Sequence, residues 1–126
     1  MMKHLTTIIA MLIMMSCGAN KKLTTVSDSS TANAMSACLQ AIVDSMASVP
    51  NNAPQSVTRY MYNNQQVYYM VSPCCDKYNV VYDSACSVIG YPDGGFTGKG
   101  DGKMTDFKDN TTNGTIVWLK DTTTLK

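Results

Sequence analysis

The fold is decided by residues 57–71, which read VTRYMYNNQQVYYMV. Two runs rich in valine, tyrosine and methionine, Val57–Tyr62 and Val67–Val71, flank the polar segment Asn63–Gln65. β-Branched and aromatic residues favour strands, and a short asparagine-containing segment between two strands favours a tight turn. This stretch therefore predicts a β-hairpin.

Further strands are predicted downstream of this hairpin. Asn79–Tyr82 and Ser87–Ile89 have the same β-rich character and flank the turn-forming segment Asp83–Ala85, so they predict a second hairpin. Thr115–Leu119, which contains the one tryptophan, predicts a last strand. The expected sheet is antiparallel, with about five strands, since hairpins join antiparallel neighbours.

One helix is predicted upstream of the sheet. Apolar residues recur there at three- and four-residue steps, the spacing of one helical face: Met35, Cys38, Leu39, Ile42, Val43 and Met46. The expected fold is a single α+β domain over residues 34–120, in which an N-terminal amphipathic helix packs on the sheet.

Four cysteines of this domain are candidates for disulfide bonds: Cys38, Cys74, Cys75 and Cys86. A domain of roughly 90 residues is marginally stable on burial alone, and covalent crosslinks commonly stabilise domains of that size. Of the three possible connectivities, the two that separate Cys74 from Cys75 are preferred because both bridges then close long loops. The third joins these neighbours to each other and leaves Cys38 with Cys86. Metal binding by the adjacent thiolates is an alternative, but no second ligand cluster accompanies them.

The N-terminus has the layout of an export signal. Lys3 and His4 precede an apolar run, Leu5–Met15, which is shorter than the roughly 20 residues needed to cross a bilayer. Residues 14–18, MMSCG, resemble a bacterial lipobox and predict cleavage before Cys17, which would carry two acyl chains. Such chains anchor a protein stably without a transmembrane helix.

The predicted organisation is a signal peptide at 1–16, a lipid-anchored polar tether at 17–33, the domain at 34–120 and a tail at 121–126. One cysteine used for lipid leaves an even number for disulfides. Gly18 replaces the aspartate that commonly retains lipoproteins at the inner membrane, so the resemblance implies an outer-membrane lipoprotein.

The composition disfavours several kinds of chemistry. The chain has one histidine, His4, which the predicted cleavage removes, and its nine acidic residues are all aspartate. Histidine-dependent nucleophilic triads, general bases and zinc helices are therefore excluded from the mature chain. Without Lys3 the mature side chains carry equal numbers of basic and acidic groups, so no basic field for nucleic acid is expected. The chain is predicted to be non-enzymatic.

The glycine-rich segment at residues 90–107 reads GYPDGGFTGKGDGKMTDF and matches neither the phosphate-binding loop nor the dinucleotide fingerprint. It has three interpretations. Asp93, Asp101 and Asp106 are possible ligands for a cation such as Ca²⁺, because carboxylates are the hard ligands that Ca²⁺ prefers. The second interpretation is a recognition loop with an aromatic tip, made of Pro92, Asp93, Gly94, Gly95, Phe96, Thr97 and Gly98. The third, a long structured surface loop, is preferred.

Three segments carry a resemblance to a known family: CCD at 74–76, YDSACSVIGYPDGGFTGKGDGK at 82–103, and DF at 106–107. They resemble a small secreted domain of unknown function found in lipoproteins of Bacteroidota. The resemblance implies an envelope location and a cysteine pattern, and no activity. Two accessible sites, Ser84 and Thr122, also match a short pattern similar to the O-glycosylation acceptor of that phylum.

Three hypotheses of function follow. The first is a lipid-anchored binding or structural module of the cell envelope, with the membrane as one partner and an envelope protein or glycan as another. The second is a Ca²⁺-binding module that uses the aspartates of the glycine-rich segment. The third is a protein similar to hydrolase inhibitors, which would insert the loop at 92–98 into an enzyme, since ordering a loop beforehand lowers its binding cost.

Overall fold

The computed structural model describes residues 34–121, so the predicted signal peptide, Cys17, the tether and Thr122 lie outside the described residues. One short helix is followed by five strands: α1 Ala37–Ala47, β1 Ser56–Tyr62, β2 Gln65–Val71, β3 Val80–Asp83, β4 Val88–Gly90 and β5 Thr111–Leu119. The strands form one antiparallel sheet in the order β4-β3-β2-β1-β5. The predicted five-stranded antiparallel sheet is thereby confirmed.

The first hairpin turns at Asn63 and Asn64, whose φ angles are 47° and 62°. Tyr62 pairs with Gln65 across the turn, so the loop contains two residues, one fewer than the sequence suggested. Two successive positive φ angles define the turn whose twist matches that of the flanking strands, and asparagine adopts them more readily than most residues.

The second hairpin is held by the carboxylate of Asp83. Its Oδ1 accepts hydrogen bonds from the backbone N–H groups of Ala85, at 2.9 Å, and of Ser87, at 2.8 Å. A side-chain acceptor of this kind satisfies turn donors that the ladder leaves unpaired. Ser84, one of the predicted glycosylation sites, lies exposed in this turn.

Opposite faces of the sheet carry two separate hydrophobic clusters, because side chains alternate along a strand. On one face, Tyr68 and Met70 of β2 and Val57 of β1 form a buried cluster with Leu39 and Val43 of α1. On the other face, the buried residues are Val67 of β2, Val81 of β3, and Met104 and Phe107 from the glycine-rich segment. The sheet is therefore covered on both faces.

The sequence did not suggest that the glycine-rich segment covers the second face of the sheet. Met104 and Phe107 are only 6 % and 4 % exposed, so this end of the glycine-rich segment belongs to the core. The preferred interpretation of residues 90–107 as a surface loop was wrong for this part. Each of these two residues is a lone apolar side chain in a polar sequence, and only the fold-back onto the sheet buries it.

The cysteine pairing also corrects an expectation. Cys38 is bonded to Cys86, with 6.2 Å between their Cα atoms, and Cys74 is bonded to Cys75. The preferred connectivities, which separated the adjacent pair, were wrong. Cys86 packs against the cluster beneath α1, within reach of the first turn of the helix, whereas both members of the adjacent pair are exposed between β2 and β3. With their sulfurs bonded to each other, these two residues offer no thiolate to a metal.

Candidate functional site

The glycine-rich segment is fastened to the chain that leads into β3. The backbone N–H of Asn79 donates to the carbonyl of Asp93 at 3.1 Å, and the N–H of Gly95 donates to the carbonyl of Lys77 at 2.9 Å. Gly94 forms an isolated antiparallel bridge with Tyr78 between them. These main-chain bonds place Asp93 at a defined position beside the second face of the sheet.

The carboxylate of Asp93 is held by two neighbouring side chains. The hydroxyl of Tyr69 donates to Oδ1 at 2.8 Å and lies 3.0 Å from Oδ2, and the amide nitrogen of Asn79 donates to Oδ1 at 2.7 Å. Asn79 is itself oriented, because its side-chain oxygen accepts the backbone N–H of Ser72 at 2.8 Å. Lys108 Nζ lies 3.9 Å from Oδ2 of the same carboxylate. Two uncharged donors, Tyr69 and Asn79, thus orient the carboxylate, and the exposed ammonium group of Lys108 faces it.

Aromatic rings pack beside this carboxylate. The ring centroid of Phe107 lies 6.0 Å from that of Tyr60, 5.3 Å from that of Tyr62 and 5.6 Å from that of Tyr69. Tyr60 and Tyr69 also meet edge to face at 6.4 Å. Such spacings are typical of favourable aromatic pairs, which are worth about 0.5–1.5 kcal/mol beyond their buried area. The tyrosine rings on β1 and β2 therefore hold the ring of Phe107, which the glycine-rich segment supplies, in a fixed position.

These groups enclose an open cleft of about 310 Å³, here called the tyrosine cleft, lined by Tyr60, Tyr69, Asp93, Phe107, Lys108 and Thr111. A neighbouring cleft of about 250 Å³ shares Asp93, Phe107 and Lys108 with it and extends towards Pro92 and Lys99. Ligand sites in proteins typically occupy about 300–1,000 Å³ and combine aromatic walls with a few placed polar groups. The tyrosine cleft meets that description at the small end of the range.

The three aspartates proposed as cation ligands have separate roles in the structure. Asp93 lies in the tyrosine cleft, whereas Asp101 accepts the backbone N–H of Lys103 at 3.0 Å within a turn. Asp106 accepts hydrogen bonds from Tyr62, at 3.0 Å, and from Asn110, at 2.9 Å. Within residues 34–121, no group of three histidine, cysteine or acidic side chains is arranged to hold a metal ion. The structure does not bring the three carboxylates together.

The predicted recognition loop is divided between two environments. Pro92, Asp93 and Gly98 line the clefts, while Phe96 points into solvent and is 91 % exposed. Sequence reasoning did not identify five residues of the tyrosine cleft: Tyr60, Tyr69, Phe107, Lys108 and Thr111. Strand alternation was the available signal, since Tyr60 and Tyr62 on β1 share one face of the predicted hairpin.

The proton of the Tyr69 hydroxyl is held tightly. Burial in the cleft, followed by the hydrogen bond to Asp93 and the negative charge of that carboxylate, raises the pKa of Tyr69 well above its ordinary value. The folded protein therefore keeps a proton that the unfolded chain loses near pH 10. The stability linked to this group is complete below about pH 10 and falls as pH rises further towards the raised folded pKa.

We expect an alkaline titration to show this difference. Tyrosinate absorbance should develop in two phases, with Tyr69 in the later one, and the free energy of unfolding should decline above about pH 10. Tyr69→Phe should remove one tyrosine from the later phase. If all tyrosines of the folded protein titrate together near pH 10, Tyr69 is neither buried nor bonded to Asp93 in solution as the structure has it.

Comparisons with known proteins place the domain in a family. Among residues 34–121, no helix is long and apolar enough to cross a membrane. Neither a curated protein nor a solved structure matches the sequence. A family model described as "Domain of unknown function (DUF6970)" matches residues 44–120, a range that contains the five strands, the glycine-rich segment and both clefts. The chain therefore belongs to the DUF6970 family of domains of unknown function.

Proposed function

We propose that this protein is a lipid-anchored module of the cell envelope that binds a ligand in the tyrosine cleft without catalysing a reaction. The anchoring rests on the apolar N-terminal run and on the lipobox-like residues around Cys17. Gly18 supports an outer-membrane address, and the polar tether at 17–33 would hold the domain away from the bilayer.

One observation carries the binding role. The Asp93 carboxylate is oriented by Tyr69 and Asn79 at the wall of an aromatic cleft, although it lies on a glycine-rich segment. A polar group that is already positioned before a ligand arrives lowers the entropic cost of binding. Structural needs alone do not call for a carboxylate that is 19 % exposed beside aromatic side chains, because an apolar side chain would fill that space at no desolvation cost.

The absence of catalysis is supported by the groups that line the cleft. Asp93 is the one acidic residue among the lining residues of either described cleft, so a second carboxylate for acid–base work is missing there. The predicted mature chain contains no histidine and no glutamate. The first reaction that an aromatic cleft with an aspartate suggests is the hydrolysis of glycosides. That reaction ordinarily needs two carboxylates.

A second candidate function is protein recognition through the loop at 92–98, as in an inhibitor-like protein. Phe96 is 91 % exposed, and the loop around it is closed by a bridge between Gly94 and Lys99. Aromatic side chains on pre-ordered loops are frequent anchors of protein interfaces. This loop and the tyrosine cleft are adjacent. One capture experiment, with a substitution in each of them, can show which of the two binds the partner.

Membrane attachment is tested by Cys17→Ala in the native host. Two acyl chains hold a protein on a bilayer stably, so the substitution should move the protein from the membrane fraction to the soluble fraction almost completely. The double variant Cys74→Ala/Cys75→Ala, which leaves position 17 intact, is the control and should remain on the membrane. Wild-type protein whose intact mass shows no acyl chains on Cys17 would remove the lipid anchor from the proposal.

Ligand binding is tested by capture of partners from native envelopes onto the immobilised mature protein. Lys108 is an exposed side chain of the cleft, so Lys108→Ala should reduce capture without changing the melting temperature. Lys103→Ala removes a lysine outside both clefts and serves as the matched control. Capture that survives Lys108→Ala and is lost in Phe96→Ala would transfer the function to the loop.

A further inference from the structure

We infer that the ligand of the tyrosine cleft is a neutral pyranose unit of a glycan, an inference that rests on the proposed binding function. Among residues 34–121, the tyrosine cleft combines aromatic side chains, hydrogen-bonding groups of both kinds and a suitable volume.

The aromatic wall suits the apolar face of a sugar ring. A pyranose exposes several C–H groups on one side, and these carry slight positive charge that the negative face of an aromatic ring attracts. Tyr60 and Tyr69, which are partly exposed, line the cleft, together with the largely buried Phe107. Contacts of both tyrosine rings with the buried ring of Phe107 keep them in place before a ligand binds.

The polar wall suits the hydroxyl groups of the same ring. Asp93 Oδ2 and Lys108 Nζ are 3.9 Å apart, beyond the length of a hydrogen bond, so each retains capacity for another partner. A sugar hydroxyl both donates and accepts. One hydroxyl, or two adjacent hydroxyls, can therefore donate to the carboxylate while accepting from the ammonium, and Thr111 adds a third polar group at the rim.

The balance of charge in the tyrosine cleft itself favours a neutral ligand, and the second cleft adds the ammonium group of Lys99. The lining of the tyrosine cleft contains one carboxylate, Asp93, and one ammonium, Lys108, whose charges cancel. An anionic ligand would face Asp93, which Tyr69 and Asn79 hold at the wall, and a cationic ligand would face Lys108. A polar ligand without net charge meets neither repulsion and satisfies both groups.

The size of the site fits a ring within a longer glycan. The tyrosine cleft of about 310 Å³ opens beside the second cleft of about 250 Å³, and both share Asp93, Phe107 and Lys108. Two adjoining clefts with a common wall can hold two consecutive sugar units. We therefore expect disaccharides to bind more tightly than the corresponding monosaccharides.

The test is a titration of the full mature protein, held in detergent micelles by its lipid, and observed by NMR. The probes are the methyl glycosides of glucose, galactose and N-acetylglucosamine, with N-acetylneuraminic acid as the anionic comparator and choline as the cationic one. At least one neutral glycoside should shift the ring resonances of Tyr60 and Tyr69 and receive saturation from the protein on the protons of one face.

Substitutions test where the sugar binds and how much one side chain contributes to its affinity. Lys108→Ala removes a hydrogen bond from a charged donor and should weaken sugar binding about tenfold, whereas Lys103→Ala should leave it unchanged. Both variants should melt at the wild-type temperature, since these lysines are exposed. Two sources of the glycan are then compared: soluble peptidoglycan strands, which carry N-acetylglucosamine, and oligosaccharides of neutral hexoses.

The results of this titration distinguish the glycan assignment from the proposed binding function on which it rests. If no neutral glycoside shifts the cleft tyrosines, or if Lys108→Ala leaves sugar affinity unchanged, the glycan assignment is overturned. Binding of choline or N-acetylneuraminic acid in preference to every neutral sugar would overturn it as well. In each of these cases, loss of envelope capture in Lys108→Ala still upholds a cleft that binds another ligand, and unchanged capture removes the proposed function too.

Discussion

Replacement of Cys38 and Cys86 by serine is expected to lower the free energy of unfolding by about 4 kcal/mol on the chain-entropy model. The two cysteines are 48 residues apart in sequence, so their bond removes a large part of the conformational freedom of the unfolded chain. Small domains have about 5–15 kcal/mol of stability in total. The double variant should therefore be partly unfolded at physiological temperature.

The location of this bond increases its importance. It joins the first turn of α1 to the second hairpin, and the helix contributes only Leu39 and Val43 as fully buried residues. An eleven-residue helix is marginal in isolation and depends on its packing. Without the crosslink, the cover of one face of the sheet is expected to detach before the strands separate.

The second disulfide supplies the control. Cys74→Ser/Cys75→Ser opens a bridge between sequence neighbours, which closes almost no loop and should cost about 1 kcal/mol or less on the same model. Urea denaturation of the two double variants, compared with wild type, measures the difference. Equal losses in the two variants would show that Cys38 and Cys86 do not act as a long-range crosslink in solution.

Gly100→Ala is expected to cost about 3 kcal/mol or more, because its side chain has no room. A Cβ at this position would lie 1.8 Å from the carbonyl oxygen of Tyr91 and 2.7 Å from the backbone nitrogen of Asp93. The φ angle of 64° adds the strain that alanine experiences in the left-handed region. The backbone must move, and the N–H of Asp101, which donates to the Tyr91 carbonyl at 3.0 Å, would lose its partner.

Gly98→Ala is the matched control for this substitution. Gly98 has a φ angle of 72°, yet nothing lies within 4 Å of a Cβ built there. The left-handed backbone alone should cost about 1–2 kcal/mol. Thermal melts of the two variants compare the effect of backbone strain alone with that of strain and a steric clash together. Equal decreases in melting temperature would contradict the close approach of Gly100 to Tyr91.

Gly100→Ala should also damage the tyrosine cleft. Residues 91–93 would be displaced, and they carry the carboxylate that Tyr69 and Asn79 hold. We expect Tyr69 to titrate at a lower pH in this variant than in the wild type, because the hydrogen bond to Asp93 and the charge of that carboxylate add to the effect of burial on its pKa. Gly98→Ala should leave the titration of Tyr69 unchanged.

The sequence predicted the strands well because strand formation here follows from local composition. The first hairpin was identified from two runs of β-branched and aromatic residues around Asn63 and Asn64, and both asparagines have the positive φ angles of the turn. β5 begins at Thr111, four residues earlier than predicted. Its first residues include Asn113 and Gly114, which disfavour strands by themselves, and they lie where the register with β1 shifts between Arg59 and Met61. Asn113 has a φ angle of 57°, and a β-bulge of this kind accommodates residues that a regular strand does not favour.

The sequence by itself determined most of the secondary structure of the domain, the absence of glutamate from the chain and the absence of histidine from residues 34–121, since these depend on residue types and their local spacing. Only the tertiary structure decided the pairing of the cysteines and the identity of the cleft. Asp93 meets Tyr69 across 24 positions, and Cys38 meets Cys86 across 48. Such contacts depend on how the helix and the glycine-rich segment fold back over opposite faces of the sheet, and no local pattern encodes that path.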